Sequence, residues 1–151
     1  MVKPLFHFGI TEDAKLIREE VFVKEQGFAE EFDENDPKCW HLVLYLDSTP
    51  IATGRIVEVD PETYRIGRVA VRKGFRRMKV GTYTVKFLCN KAISLGARKA
   101  ILGAQLDKMP FYRSLGFKPY PDGEVFEEQG VPHCMMYKVL IKDKKGYKPF
   151  Y

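Results

Sequence analysis

Two periodicities of apolar residues alternate along this chain, and together they lay out its elements. Leu5 to Ile10 can form a first strand. A helix follows from about Glu12 to Glu25, with Ala14, Leu16, Ile17, Val21 and Phe22 on one face. Thr11 is its N-cap, acids crowd its first turn as the helix dipole prefers, and Gly27 stops it. Phe28 to Lys38 is acidic, poor in β-formers and broken by Pro37, so it reads as a loop. Cys39 to Leu46, Ile51 to Val59 and Tyr64 to Val71 are β-rich runs. They are separated by the turn sequences Asp47-Ser48-Thr49-Pro50 and Asp60-Pro61-Glu62-Thr63, which predicts an antiparallel meander.

The period then changes. From Val80 to Leu95 apolar residues recur at i, i+3, i+4 and i+7, the mark of an amphipathic helix, and Gly96 ends it. Arg98 to Ala104 returns as a strand, so Val71, the helix and Ile101 form a β-α-β unit with parallel strands. A short helix from Met109 to Leu115 opens with Pro110 and ends at Gly116. Phe117 to Tyr120 is a short strand, Glu124 to Pro132 a connecting loop, and Cys134 to Ile141 the last strand. A basic tail, Lys142 to Tyr151, follows and is expected to be only partly ordered. The sum is an α+β fold, a mixed α/β sandwich: one mixed, mostly antiparallel sheet with helices on both faces, as a single domain over residues 1–151.

Composition narrows the class. The 151 residues suit one domain with a real core. No apolar run approaches the ~20 residues of a membrane span. Met1-Val2-Lys3-Pro4 does not resemble a secretory leader, so a cytoplasmic protein with no membrane partner is expected. Cys39, Cys89 and Cys134 are far apart with no C-x-x-C, which favours reduced thiols over disulfides or a zinc site, and no metal is expected. The net charge of +5 is unevenly spread: Thr11 to Asp36 holds ten acids and three bases, whereas Arg65 to Lys99 holds eleven bases and no acid. That asymmetry suggests two surfaces with different partners, one anionic and one cationic.

The basic stretch has a focus. Val71 to Gly81 reads V-R-K-G-F-R-R-M-K-V-G, a cationic loop between a strand and a helix. The first amides of a helix lack internal partners and the dipole adds positive charge there, so this junction is an anion site suited to a phosphate-bearing ligand. It lacks the leading glycine of a Walker A loop and is not a Rossmann G-x-G-x-x-G.

Arg76-Arg77-Met78-Lys79-Val80-Gly81 resembles the [QR]-x-x-G-x-[GA] acyl-CoA signature of the GCN5-related N-acetyltransferase (GNAT) superfamily, with Lys79 standing where the family has glycine. Pro110-Phe111-Tyr112-Arg113-Ser114-Leu115-Gly116-Phe117 resembles the F-Y-x-x-L-G-F segment of the same superfamily. Val21-Phe22-Val23-Lys24-Glu25-Gln26 and Gly130-Val131-Pro132-His133-Cys134-Met135-Met136 resemble segments of a small bacterial branch, the second of them shared with glyphosate-type N-acetyltransferases.

The resemblance implies a CoA pyrophosphate on the backbone from Arg76 through Arg77, Met78, Lys79, Val80 and Gly81 to Thr82. It implies pantetheine paired with the strand edge at Val69, Ala70 and Val71. Tyr112 becomes the proton donor to the leaving thiolate and His133 a base for the amine, against a structural histidine bound to a backbone group. His7 and His41 read as structural. Arg72 and Lys73 are further phosphate candidates.

The expected activity is transfer of the acetyl group of acetyl-CoA to a primary amine, on a small molecule or a protein, by direct attack in a ternary complex. Two alternatives stand beside it: a non-catalytic acyl-CoA-binding regulator, and a nucleic-acid-binding module suggested by the eleven-base stretch. The latter lacks any RNP, helix-turn-helix or zinc pattern, so no nucleic-acid partner is expected. The acidic segment Glu25 to Asp36 favours a cationic acceptor, while the His133 segment points to a branch with anionic ones. Dimers are common in the superfamily, so a homodimer is one expectation.

Overall fold

The structure is a computed structural model that describes residues 1–28 and 32–140 and the backbone of 142–143 and 146–147. Its strands are β1 Val2–Phe8, β2 Trp40–Leu46, β3 Thr49–Asp60, β4 Thr63–Val71, β5 Lys99–Gln105, β6 Lys118–Pro119, β7 Val125–Glu128 and β8 Val131–Val139. They form one sheet in the order β1-β2-β3-β4-β5-β8-β6, with β7 also on β8. Every pairing is antiparallel except β4 with β5. A small separate pair, β9 Lys142–Asp143 and β10 Gly146–Tyr147, lies in the tail. The expectation of a partly ordered tail otherwise falls outside the described residues.

Alternation along the strands assigns the two faces. Leu42 and Leu44 of β2 join one core cluster, and Val43 between them joins the other. The larger cluster is built on α2 (Val80–Ser94), whose Val85, Leu88, Cys89 and Ala92 are fully buried against Ile56, Ile66 and Leu102. Each of the buried valine, leucine and isoleucine side chains contributes about 1.5–3 kcal/mol by leaving water. The smaller cluster is built on α1 (Glu12–Arg18) and its continuation, with Ala14, Ile17, Val21 and Phe22 on Val43 and Ala70. Helices therefore cover both faces, and the strands between them are apolar on both sides. At Gly54 of β3 an added Cβ would stand 2.6 Å from Leu88 Cδ1, so glycine lets α2 sit down on the sheet.

Three local expectations are corrected. The helix from Glu12 does run to Glu25, but from Glu19 it is π-helical, with Gln26 N–H donating to Val21 C=O at 3.0 Å. The first strand covers Val2–Phe8 rather than Leu5 to Ile10, because its partner β2 extends to Leu46 opposite Val2. Glu124 to Pro132 is not a loop: Val125–Glu128 is β7, and Gln129 (φ 53°) and Gly130 (φ 74°) form the two-residue turn into β8. Two successive positive φ values are what a tight hairpin turn needs, and Gln-Gly supplies the second cheaply.

The expectation of two separate charged surfaces is also corrected. Asp36 accepts from Arg18 at 2.7 and 3.1 Å and from Arg55 at 2.7 Å, all deeply buried. Asp33 accepts twice from Arg55 at 2.7 Å and from Arg68 at 3.3 Å. Glu20 pairs with Arg72 and Glu25 with Arg76. The fold thus pairs Glu25, Asp33 and Asp36, part of the segment read as an attractor for a cationic acceptor, with arginines of its own.

Candidate active site

β4 and β5 pair only at Thr63–Arg65 against Lys99–Ile101 and then part. From Ile66 to Val71, β4 has β3 on one side and no described strand on the other. The partner register slips by one residue between Thr53 and Arg55, where Arg68 sits in a bulge at φ 52°. The parting opens a cleft of about 860 Å³, with Val69, Ala70 and Val71 along one wall and Leu102, Gly103 and Gln105 along the other. The backbone from Val69 to the Val71 amide is a ready partner for an amide-bearing chain laid beside it, while the Val71 carbonyl already accepts from Arg76.

At the mouth of the cleft the chain leaves β4 through a 3₁₀ turn, Lys73–Met78, and enters α2 at Lys79. Lys79 is left-handed (φ 56°, ψ 25°), the conformation for which the signature's glycine is suited. No side chain caps α2, so its first-turn amides remain for a ligand. Arg76, Arg77, Lys79, Gly81 and Thr82 line the cleft; Met78 is exposed outside its lining, and the Val80 side chain is buried in the core, leaving only its backbone for a ligand.

Arg76 is engaged within the protein, donating to Glu25 at 2.5 and 2.7 Å and to Val71 C=O at 2.9 Å. Arg72 donates to Glu20 and to Pro50 C=O. On the far side of the loop lies a second depression of about 580 Å³, shared through Lys79 and Thr82 and carrying Lys86 and Lys138.

Tyr112 sits in α3 (Met109–Ser114) between Phe111 and Phe117, whose rings meet it edge-on at 5.0 and 6.0 Å. The helix ends at once, with Gly116 at φ 94° and Phe117 N–H returning to Tyr112 C=O. Its ring lines the cleft, and its hydroxyl makes no hydrogen bond to a described residue. Loss of water pushes the phenol up to about 12.

His133, on β8 opposite Gln105, lines the same cleft and is buried. Its Nδ1 lies 2.8 Å from Val131 C=O. A carbonyl only accepts, so Nδ1 carries a proton, and in the neutral ring the lone pair is on Nε2. Nε2 is 3.7 Å from Glu128, and the ring stacks on Phe126 at 5.7 Å. The backbone bond expected of a structural histidine is thus present, and it is also the bond that prepares Nε2 as an acceptor.

His41 is structural: it is buried, its Nε2 lies 2.9 Å from Asp36 C=O, and burial holds its pKa below the ordinary value. His7 is exposed and bonds Gly9 C=O. The three cysteines are free, buried and outside the lining of the cleft. Burial pushes the Cys39 thiol up to about 11 and the Cys89 thiol up to about 12.

The sequence reading missed Arg65, Gly103 and Glu128, which line the inner end of the cleft. Arg65 and Gly103 fall inside strand patterns that carry no motif. Glu128 was hidden by reading its hairpin as a loop.

A split mixed sheet with a cationic helix N-terminus at the split makes a cleft suited to a phosphate-bearing ligand. The chain belongs to the acetyltransferase (GNAT) family, whose model matches residues 10–117. It is similar to YjcF of Bacillus subtilis (strain 168), which bears the name uncharacterized N-acetyltransferase, at 37% identity over 84% of this chain and 91% of that protein. A Lactobacillus plantarum crystal structure superposes with a TM-score of 0.83 at 27% identity, covering 93% of this chain and 99% of that one. Escherichia coli ElaA superposes with a TM-score of 0.80 at 28% identity, covering 91% and 99%. Among the described residues no helix is long and apolar enough to cross a membrane.

Proposed function

We propose that the protein transfers the acetyl group of acetyl-CoA to a primary amine by direct attack in a ternary complex. One observation carries the reading: where β4 and β5 part, Tyr112 and His133 line a single cleft whose mouth is the uncapped cationic start of α2. The α2 amides with Arg77 and Lys79 fit a pyrophosphate, and the open edge at Val69–Val71 fits the amides of pantetheine. The lysines of the neighbouring depression extend the cationic surface beyond the loop.

The chemistry follows from the proton positions. His133 Nε2 takes a proton from the acceptor ammonium, and the freed amine attacks the thioester carbonyl. An amide of the open β4 edge donates to the developing oxyanion. As the C–S bond breaks, the Tyr112 hydroxyl donates to the sulfur. With its pKa near 12 the phenol stays protonated throughout the working range, so the donor is always present. The cysteines are buried away from the cleft, which favours direct attack over an acyl-enzyme. Placement of both reactants in one cleft provides the remaining acceleration.

The test is release of CoA thiol from acetyl-CoA in the presence of a broad amine panel. Turnover above background supports the reading. CoA binding without turnover on any amine would instead make the protein an acyl-CoA-binding regulator.

A further inference from the structure

The inner end of the cleft carries an opposite-charge pair that is held apart. Arg65 is the last β4 residue paired with β5, and its Nη2 lies 3.8 Å from a Glu128 oxygen. The other oxygen of Glu128 lies 3.7 Å from His133 Nε2. Both separations exceed hydrogen-bond range. The other arginines near this end are committed: Arg55 donates to Asp33 and Asp36 at 2.7 Å, and Arg68 donates to Asp33 at 3.3 Å. The Arg65 guanidinium makes no hydrogen bond to a described residue and is about two-fifths exposed.

Strand register puts these groups on one side of the sheet. Arg65 faces the same way as its partner Ile101, hence as Gly103 and Gln105, and Gln105 faces the same way as His133. Gly103 lies beneath them. Its φ is not in the left-handed region, so the backbone does not require glycine there. The space is tight instead: an added Cβ would stand 3.1 Å from Phe126 Cζ and 3.4 Å from Arg65 Nη2, so these side chains would have to give by a few tenths of an ångström. A glycine inside a strand, where it costs stability, marks a place where another group comes close.

We propose that the acceptor is a small zwitterion, an α-amino acid or a close analogue, with its carboxylate on Arg65 and its ammonium between Glu128 and His133. This rests on the acetyltransfer reading above. A guanidinium with unspent donors suits a carboxylate in a two-bond fork. Glu128 holds the ammonium while it is charged, and His133 Nε2 then accepts one of its protons. The amine nitrogen forms the new C–N bond as the C–S bond breaks and the thiolate is protonated, so the reaction yields an N-acetyl amino acid, CoA thiol and one proton. The product keeps its carboxylate but loses the ammonium charge, which weakens its hold on Glu128 and favours release.

The test compares free amino acids, their methyl esters and the matching decarboxylated amines, by turnover with acetyl-CoA and by calorimetric binding to the protein loaded with CoA. Free amino acids should exceed their esters by about tenfold or more in kcat/KM, the scale of one lost charge-assisted contact. Arg65→Ala should raise KM for the amino acid by about the same factor and leave CoA affinity unchanged, and Arg65→Lys should recover part of the loss. Melting curves of both variants establish that they fold. Equal or better use of esters and simple amines, no amino-acid binding to the CoA complex, or an Arg65→Ala variant with an unchanged KM each overturns the proposal. Failure of the parent reading looks different: CoA itself does not bind, or amino acids bind and no acceptor of any kind is turned over.

Discussion

Arg76 of the cationic loop grips Glu25 of the π-helical segment through two hydrogen bonds of 2.5 and 2.7 Å. The pair ties the first helix to the loop proposed for the pyrophosphate and occupies one of the loop's cations. Glu25 in turn is held below its ordinary pKa, chiefly by the Arg76 hydrogen bonds. Both side chains are partly exposed, so the pair contributes little to stability, on the order of 1 kcal/mol or less. Its larger effect is on ligand binding. Glu25→Gln frees the Arg76 guanidinium and removes a negative charge from the cleft, so CoA affinity should rise by a few-fold. Arg76→Ala should lower it. Calorimetric titration with CoA at low and high salt checks both, and the difference between variants should shrink as salt screens it.

Lys79 holds a left-handed backbone that a side chain disfavours by roughly 1–2 kcal/mol. Lys79→Gly should therefore raise the melting temperature by a few degrees, since about 1 kcal/mol shifts a domain of this size by that much. The same change removes a cation from the loop, so CoA affinity should fall two- to fivefold. Thermal melting and calorimetry on one variant separate the two effects. Lys79→Asn, which tolerates the conformation but also lacks the charge, should match the loss of affinity with a smaller gain in stability.

The outline of this fold lies close to the surface of the sequence, and its reasons are local. The meander from β2 to β4 and the helix α2 follow from period-two and period-3.6 patterns bounded by strong turn residues. Tyr112, His133 and, in the loop, Arg76, Arg77, Lys79, Gly81 and Thr82 stand out in the sequence because they lie in motifs, and the fold brings them to one cleft. What stayed hidden depends on contacts between distant segments. No local pattern says that Asp33 meets Arg55 twenty-two residues later, or that Glu25 meets Arg76 after fifty-one. The charge blocks therefore read as surfaces when they are in part each other's partners. Arg65 and Gly103 look like ordinary strand residues until β4 and β5 are seen to part between them.

The buried Arg18–Asp36–Arg55 cluster predicts a marked sensitivity to the loss of one member. Asp36→Ala leaves two buried guanidiniums without their shared carboxylate and should destabilise the protein by about 3–5 kcal/mol. Urea denaturation of the variant against the parent protein measures it. Asp33→Asn, at a half-buried position with a second carboxylate nearby, should cost less.

Acid should act on the same cluster in two stages. Burial holds the His41 pKa below its ordinary value, so its contribution to stability is present above about 6.5 and is lost as pH falls below that. Hydrogen bonds from Arg55 hold Asp33 well below the usual carboxylate range. Burial pushes Asp36 up, but Arg18 and Arg55 outweigh it and leave its carboxyl below the ordinary value. These depressed carboxylates contribute stability that is present above about pH 4 and is lost as pH falls through their folded values. Unfolding free energy should therefore decline slightly from pH 7 to 5 and steeply below pH 4. In His41→Asn the first, shallow decline should disappear; in Asp33→Asn the second should become less steep.

Tyr112 gives the sharpest division between binding and chemistry. Its hydroxyl makes no hydrogen bond to a described residue, and its ring is held by Phe111 and Phe117, so Tyr112→Phe removes a donor and leaves the packing. The variant should melt within a degree or two of the parent protein and bind CoA with unchanged affinity. Its kcat should fall by about 10²-fold, the scale of one positioned acid, with little change in the KM for acetyl-CoA. Because burial pushes the phenol up to about 12, the parent protein should show no alkaline loss of kcat from this group below about pH 11. A kcat unchanged in Tyr112→Phe would remove the tyrosine from the reaction and leave the cleft to act by placement and backbone donors alone.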